Sequence, residues 1–98
     1  MRVDLHAHTS ASDGALSPSA LVNHAHDLGL RVLAVTDHDS VAGIPEALHA
    51  AAGTALILVP GVELSAVWEG RDVHILGYFV DFEDAQLLSH LEDLRGAR

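Results

Sequence analysis

Two short runs, Arg31–Thr36 (RVLAVT) and Ala55–Pro60 (ALILVP), are almost continuously apolar. Strands buried on both faces of a parallel sheet read this way, because helices cover each face and few positions turn toward water. What precedes each run agrees. Leu21, Ala25 and Leu28 recur at helical spacing before Gly29, and Ser17-Pro18 offers an N-cap followed by proline at the first helical position. A second helix is predicted from Ile44 to Ala52, ended by Gly53. Val3–Ala7 reads as an opening strand, Asp72–Val80 as a fourth, Asp81–Glu83 as a turn, and about Asp84–Leu94 as a last helix. Strands alternating with helices argue for an α/β fold, a parallel sheet covered by helices. No internal repeat, low-complexity tract or linker interrupts the pattern, so the 98 residues read as one small domain.

Composition narrows the functional classes. Apolar residues make up 49%, enough for a core of Ala, Val and Leu, and charged residues 19%, which argues against disorder. The chain has no cysteine, so disulfides and thiolate metal sites are excluded. That absence fits a reducing compartment. The N-terminus lacks a basic region followed by an apolar run, so no signal peptide is read and a cytoplasmic location is expected. The apolar run around Ala55–Val59 is far too short to span a bilayer. A formal charge of −9, with five arginines and no lysine, argues against binding extended duplex nucleic acid or anionic membranes. Carboxylates that hold divalent cations do not present their formal charge, so the local field at a metal site can still be positive.

Titratable residues gather beside the strands. Alternation puts Asp4, His6 and His8 on one face of the opening strand, and Asp13 follows in a polar loop. Asp37, His38 and Asp39 follow the second strand, Glu63 the third, and His74 lies within the fourth. In parallel α/β folds the loops at the carboxyl ends of strands converge on one crevice. Imidazole mixed with carboxylate suits Zn, Mn or Fe, and suits Mg less where His dominates. Each residue alone has a plainer reading: Asp39 or Ser40 as a helix cap, Glu63 as a surface acid, His74 as a satisfied sheet histidine. Their convergence favours the metal. His24, His26, His49 and His90 fall on helices away from the strand ends and read as surface residues. Trp68 and Arg71 read as an exposed polar turn.

The stretches DLHAHTSASDG (4–14), VTDHDS (35–40), GVELS (61–65) and VHILGY (73–78) are similar, in order and spacing, to the first motifs of the PHP (polymerase and histidinol phosphatase) superfamily. HILGYFVD followed by a leucine-rich helix resembles most the small bacterial phosphoesterases of that family. The resemblance implies the first three to four βα units of a distorted (β/α)7 TIM-like barrel, incomplete in this chain. It also implies two or three divalent ions (Mn, Zn, Fe or Mg). His6 and His8 would bind one, Glu63 would bridge it to a second that His74 also holds, and Asp13 and His38 would bind a third. Asp4 would orient His6 and His8, and Asp37 and Asp39 would orient His38. The implied activity is hydrolysis of phosphate esters of nucleotides or short oligonucleotides (RNA or DNA) by a metal-activated water, with no serine or cysteine nucleophile. Thr9, Ser10, Ser12 and Ser65 are read as loop and supporting groups.

The sequence also departs from the family pattern. Barrel folds generally need roughly 200 or more residues, and no residue after His74 matches the family's later histidine or its Asp-x-His motif. Residues 1–98 are therefore expected to be the N-terminal portion of a single PHP domain. The alternatives are a short protein that completes its sheet by self-association at an open edge, a non-catalytic metal-binding or assembly module, and an inactive truncation. In the last, a Leu87–Leu91–Leu94 stripe would lie exposed.

Overall fold

The computed structural model describes residues 2–96. Four strands form one sheet in chain order: β1 (Arg2–Ala7), β2 (Leu30–Val35), β3 (Ile57–Trp68) and β4 (Arg71–Tyr78). Helix α1 (Pro18–Asp27) joins β1 to β2, α2 (Ile44–Ala51) joins β2 to β3, and α3 (Ala85–Gly96) follows β4. The first two strand pairings are parallel.

The expected helices form for the expected reasons. Ser17 caps α1 by accepting the N–H of Ala20, Pro18 opens the helix, and Val22 and Ala25 bury its inner stripe. Gly29 and Gly53, both left-handed at φ 80° and 79°, turn the chain after α1 and α2. The cap of α2 differs from expectation. Gly43 stands at its N-cap position, Ser40 Oγ accepts from the Ala42 N–H instead, and Asp39 reaches across to β3. α1 and α2 pack against each other and over β2 and β3, burying Leu33, Val35, Ile44, Ala47 and Val62 in a common core.

Two expectations are corrected. β4 runs antiparallel to β3, not parallel, because only Glu69 and Gly70 separate them. A parallel return needs a crossover of a dozen or more residues, whereas two residues with positive φ (51° and 76°) make a hairpin turn. Trp68 and Arg71 are thus the last paired residues of the hairpin, and not loop. The second correction is the leucine stripe. Leu91 is 1% exposed within the core, with Leu87 and Leu94 packed against it, so α3 covers the domain and does not present an apolar face.

β3 holds the sheet together. Through Pro60 it pairs with β2, and from Gly61 onward with β4. At the changeover a Cβ on Gly61 would stand 2.8 Å from the Gly77 carbonyl oxygen and 2.8 Å from Thr36 Cγ2, so only glycine fits. The sheet curls into a half-barrel. Between its two outer strands the Tyr78 hydroxyl donates to the Leu5 carbonyl at 2.7 Å.

Candidate metal centre

Three backbone devices bring the site together. The Thr36 N–H donates to the Ala7 carbonyl at 2.8 Å, extending the β1–β2 ladder to the point where His8 leaves the strand. The Glu63 N–H donates to the Asp37 carbonyl and its carbonyl accepts from the Asp39 N–H, both at 2.9 Å, so His38 is bridged to Glu63 as if β2 continued. Asp39 takes φ 49° to do this, and its Oδ1 accepts the Ser65 N–H. Glu63 itself lies inside β3, not in a loop after it. The strand runs on because Val62 and Leu64 alternate with Glu63 and Ser65.

Glu63 is the hub. It is 4% exposed. Oε1 accepts from His6 Nε2 at 2.6 Å and from His8 Nε2 at 2.8 Å; Oε2 accepts from His74 Nδ1 at 2.5 Å and lies 3.7 Å from His38 Nδ1. Asp13 completes a second ring, with Oδ1 2.9 Å from His8 Nδ1 and Oδ2 3.1 Å from His38 Nε2. Burial pushes the Glu63 carboxyl up. The hydrogen bonds from His6, His8 and His74 and the charge of His38 outweigh it and hold the pKa at about 2.

The six residues fit divalent ions. Two donors sharing one ion at about 2.0–2.2 Å lie at most ~4.4 Å apart. Three groups offer donor atoms within 4.8 Å of one another: His6–His8–Glu63, His8–Asp13–His38 and His38–Glu63–His74. Small side-chain adjustments would close each around a cation. The grouping also places His8 and His38 in two groups each.

The expected supporting carboxylates sit differently from one another. Asp4 Oδ1 accepts the backbone N–H of His6 at 3.0 Å, a bond to the strand and not to an imidazole. Asp37 binds Thr9 and Ser12 rather than the His38 ring. Asp39 ties the turn to β3. His24, His26, His49 and His90 are exposed, as read.

Two residues near the site were not singled out from the sequence. Tyr78 lies on the strand face of His74, four residues on, a period-2 signal that could have marked it. Arg95 Nη1 donates to the Asp39 carbonyl at 2.6 Å and lines a cleft of about 880 Å³ together with Asp13, His38, Ser65 and His74. Nothing local in the sequence signals that contact across 56 positions.

A curled α/β half-barrel with imidazole and carboxylate donors clustered at one rim is part of a TIM-like fold whose residues could hold metal ions. The chain belongs to the PHP domain family, whose model matches residues 4–94. It is 44% identical over 97 residues to a 5'-3' exoribonuclease of Haemophilus influenzae, covering 99% of this chain and 35% of that protein. It is 38% identical over 96 residues to a 3',5'-nucleoside bisphosphate phosphatase of Chromobacterium violaceum, covering 98% and 34%. A solved amidohydrolase from C. violaceum with bound sulfate and no metal superposes with a TM-score of 0.94 at 38% identity, over 100% of this chain and 34% of that one. The chain thus spans about a third of the length of these two relatives.

Proposed function

We propose that residues 1–98 are the N-terminal portion of a single PHP domain and contribute most of the metal centre of a phosphoesterase. Its substrates would be phosphate esters of nucleotides or short oligonucleotides. The observation that carries this reading is Glu63: one buried, ionised carboxylate within reach of four imidazoles, His6 on β1, His74 on β4, and His8 and His38 just beyond the ends of β1 and β2. A structural ion pair needs one partner; this arrangement has the donor set of a polynuclear cation site.

In this reading His6, His8 and Glu63 hold one divalent ion, Glu63 and His74 with His38 in reach hold a second, and His8, Asp13 and His38 hold a third. The histidine content favours Zn, Mn or Fe over Mg. When bound, such ions supply an activated water near neutral pH and positive charge against phosphoryl oxygens. The chain's own part is positional. Glu63, with its pKa at about 2, stays anionic at neutral pH. Asp13 stands between two imidazoles at the wall of the cleft where a phosphorylated group would enter. The named activities of the two relatives share one chemistry, a phosphate ester of a nucleotide, and this supports the substrate class. Among the described residues no helix is long and apolar enough to cross a membrane, and a cytoplasmic location is part of this reading. β1 and β4 are the outer strands, where a second copy would add if the chain self-associates.

The test is phosphate release from a nucleoside 3',5'-bisphosphate and from a short 5'-phosphorylated RNA, with and without added Mn²⁺ or Zn²⁺. Metal-dependent release that is lost in His8→Ala and Glu63→Ala supports the reading. Normal release in either variant overturns the site, and bound metal without turnover marks a binding or assembly module instead.

A further inference from the structure

Asp37 serves the site with its two halves differently. Its carbonyl accepts the Glu63 N–H, as part of the backbone bridge. Its side chain points to another element. Oδ1 accepts the Thr9 N–H at 2.6 Å and the Ser12 hydroxyl at 2.7 Å, and Oδ2 accepts the Thr9 hydroxyl at 2.7 Å. Asp37 is 1% exposed and Thr9 0%. Every one of these donors belongs to the loop between β1 and α1, and Ser12 directly precedes Asp13.

The bonds that order the loop from within centre on Thr9, while Asp13 itself faces the solvent. The Asp13 side chain is 62% exposed. Within the loop, the Thr9 carbonyl accepts from the Ser12 and Gly14 N–H groups, and the Thr9 hydroxyl also accepts from the Ala11 N–H. Thr9 is therefore the loop's own hub, and the Asp37 carboxylate fixes that hub. An ionised carboxylate accepts only, and bonds to it are about twice as strong as neutral ones. An exposed aspartate placed by a loose loop would lose side-chain and backbone entropy each time it met a cation.

We infer that Asp37 is the positioning residue for the His8–Asp13–His38 donor group, and that it acts through Thr9 and Ser12 without touching that group's ion. The inference rests on the metal reading above and goes beyond it in assigning selectivity. Loss of the Asp37 side-chain bonds frees Asp13. It leaves the His6–His8–Glu63 group standing, because His8 stays held by its own Nε2 bond to Glu63 and by the Thr36–Ala7 ladder bond beside it, and the Glu63 bridge uses only the Asp37 backbone.

The experiment is Co²⁺ titration of the full chain, read by its visible absorption and by elemental analysis, for wild type, Asp37→Asn, Ser12→Ala and Thr9→Ser. Asp37→Asn and Ser12→Ala should weaken one equivalent by about 10-fold or more, the usual effect of removing an outer-shell partner, and leave the rest at wild-type affinity. Thr9→Ser, which keeps both donors, should match wild type. Ser12 is half-buried, so Ser12→Ala carries the test if Asp37→Asn does not fold. Unchanged binding of every equivalent in Ser12→Ala, or an equal loss of all, overturns the positioning role while the metal reading stands. A folded wild type that binds no Co²⁺ overturns both.

Discussion

His6 Nε2 lies 2.6 Å from Glu63 Oε1, although 57 positions separate the two residues. The contact crosses from the edge strand to the third strand and exists only because the sheet curls. Glu63→Gln preserves the shape of the hub and removes its charge. The expected result is a loss of metal affinity of more than about 100-fold, since losing a mere supporting partner already costs 10–100-fold. Isothermal titration with Zn²⁺ measures it, and a fold of wild-type circular dichroism is expected to persist.

Gly61 and Gly77 make a paired test of the β3 changeover. A Cβ at Gly61 would meet backbone and side-chain atoms at 2.8 Å, whereas one at Gly77 would meet Val80 Cγ1 at an ordinary 3.5 Å. Gly61→Ala should destabilise by about 1–3 kcal/mol, as overpacking does, and Gly77→Ala by clearly less. Urea unfolding of both variants decides the matter; equal costs would contradict the close approach.

Leu91 tests whether α3 is part of the domain. At 1% exposure in the core, Leu91→Ala should cost about 2–5 kcal/mol. Leu88, on the same helix and 43% exposed, should cost within about 0.5 kcal/mol on the same substitution. A silent Leu91→Ala would mean that the helix does not dock.

Glu46 gives the pH dependence. Its Oε2 accepts the Ser19 N–H in the first turn of α1 at 2.9 Å, and that bond lowers its pKa below the usual 4.5. A lowered carboxylate contributes stability that is complete above 4.5 and lost as pH falls through the folded value. Glu46→Gln should therefore lower the melting temperature at neutral pH, with the difference closing well below pH 4.5. A difference that persists in acid would show that the charge is not the cause.

Much of this was readable from residues alone. RVLAVT and ALILVP announced the buried parallel strands because burial on both faces leaves no alternation. Gly29 and Gly53 announced the helix ends because left-handed backbone needs them. The extension of β3 through Glu63 was hidden. A buried carboxylate and a glycine look like a strand's end, and only the partner strand and the clustered imidazoles make both tolerable. The antiparallel β4 was legible in principle, since two residues cannot make a crossover, but Trp68 and Arg71 lengthened the apparent turn. The six clustered residues stood out by type and position. How Asp13 reaches His38, and how Asp37 holds the loop that carries it, depends on contacts across 25 to 28 positions that no local pattern encodes.

The central claim is that Glu63 and its imidazoles form a divalent-metal centre. The most direct measurement is metal per folded chain, by elemental analysis after equilibration with Zn²⁺ or Mn²⁺ and removal of free ion. The account predicts about two or more equivalents for wild type, and loss of the tightest-bound of them in Glu63→Gln. A folded wild-type chain that retains none would contradict it.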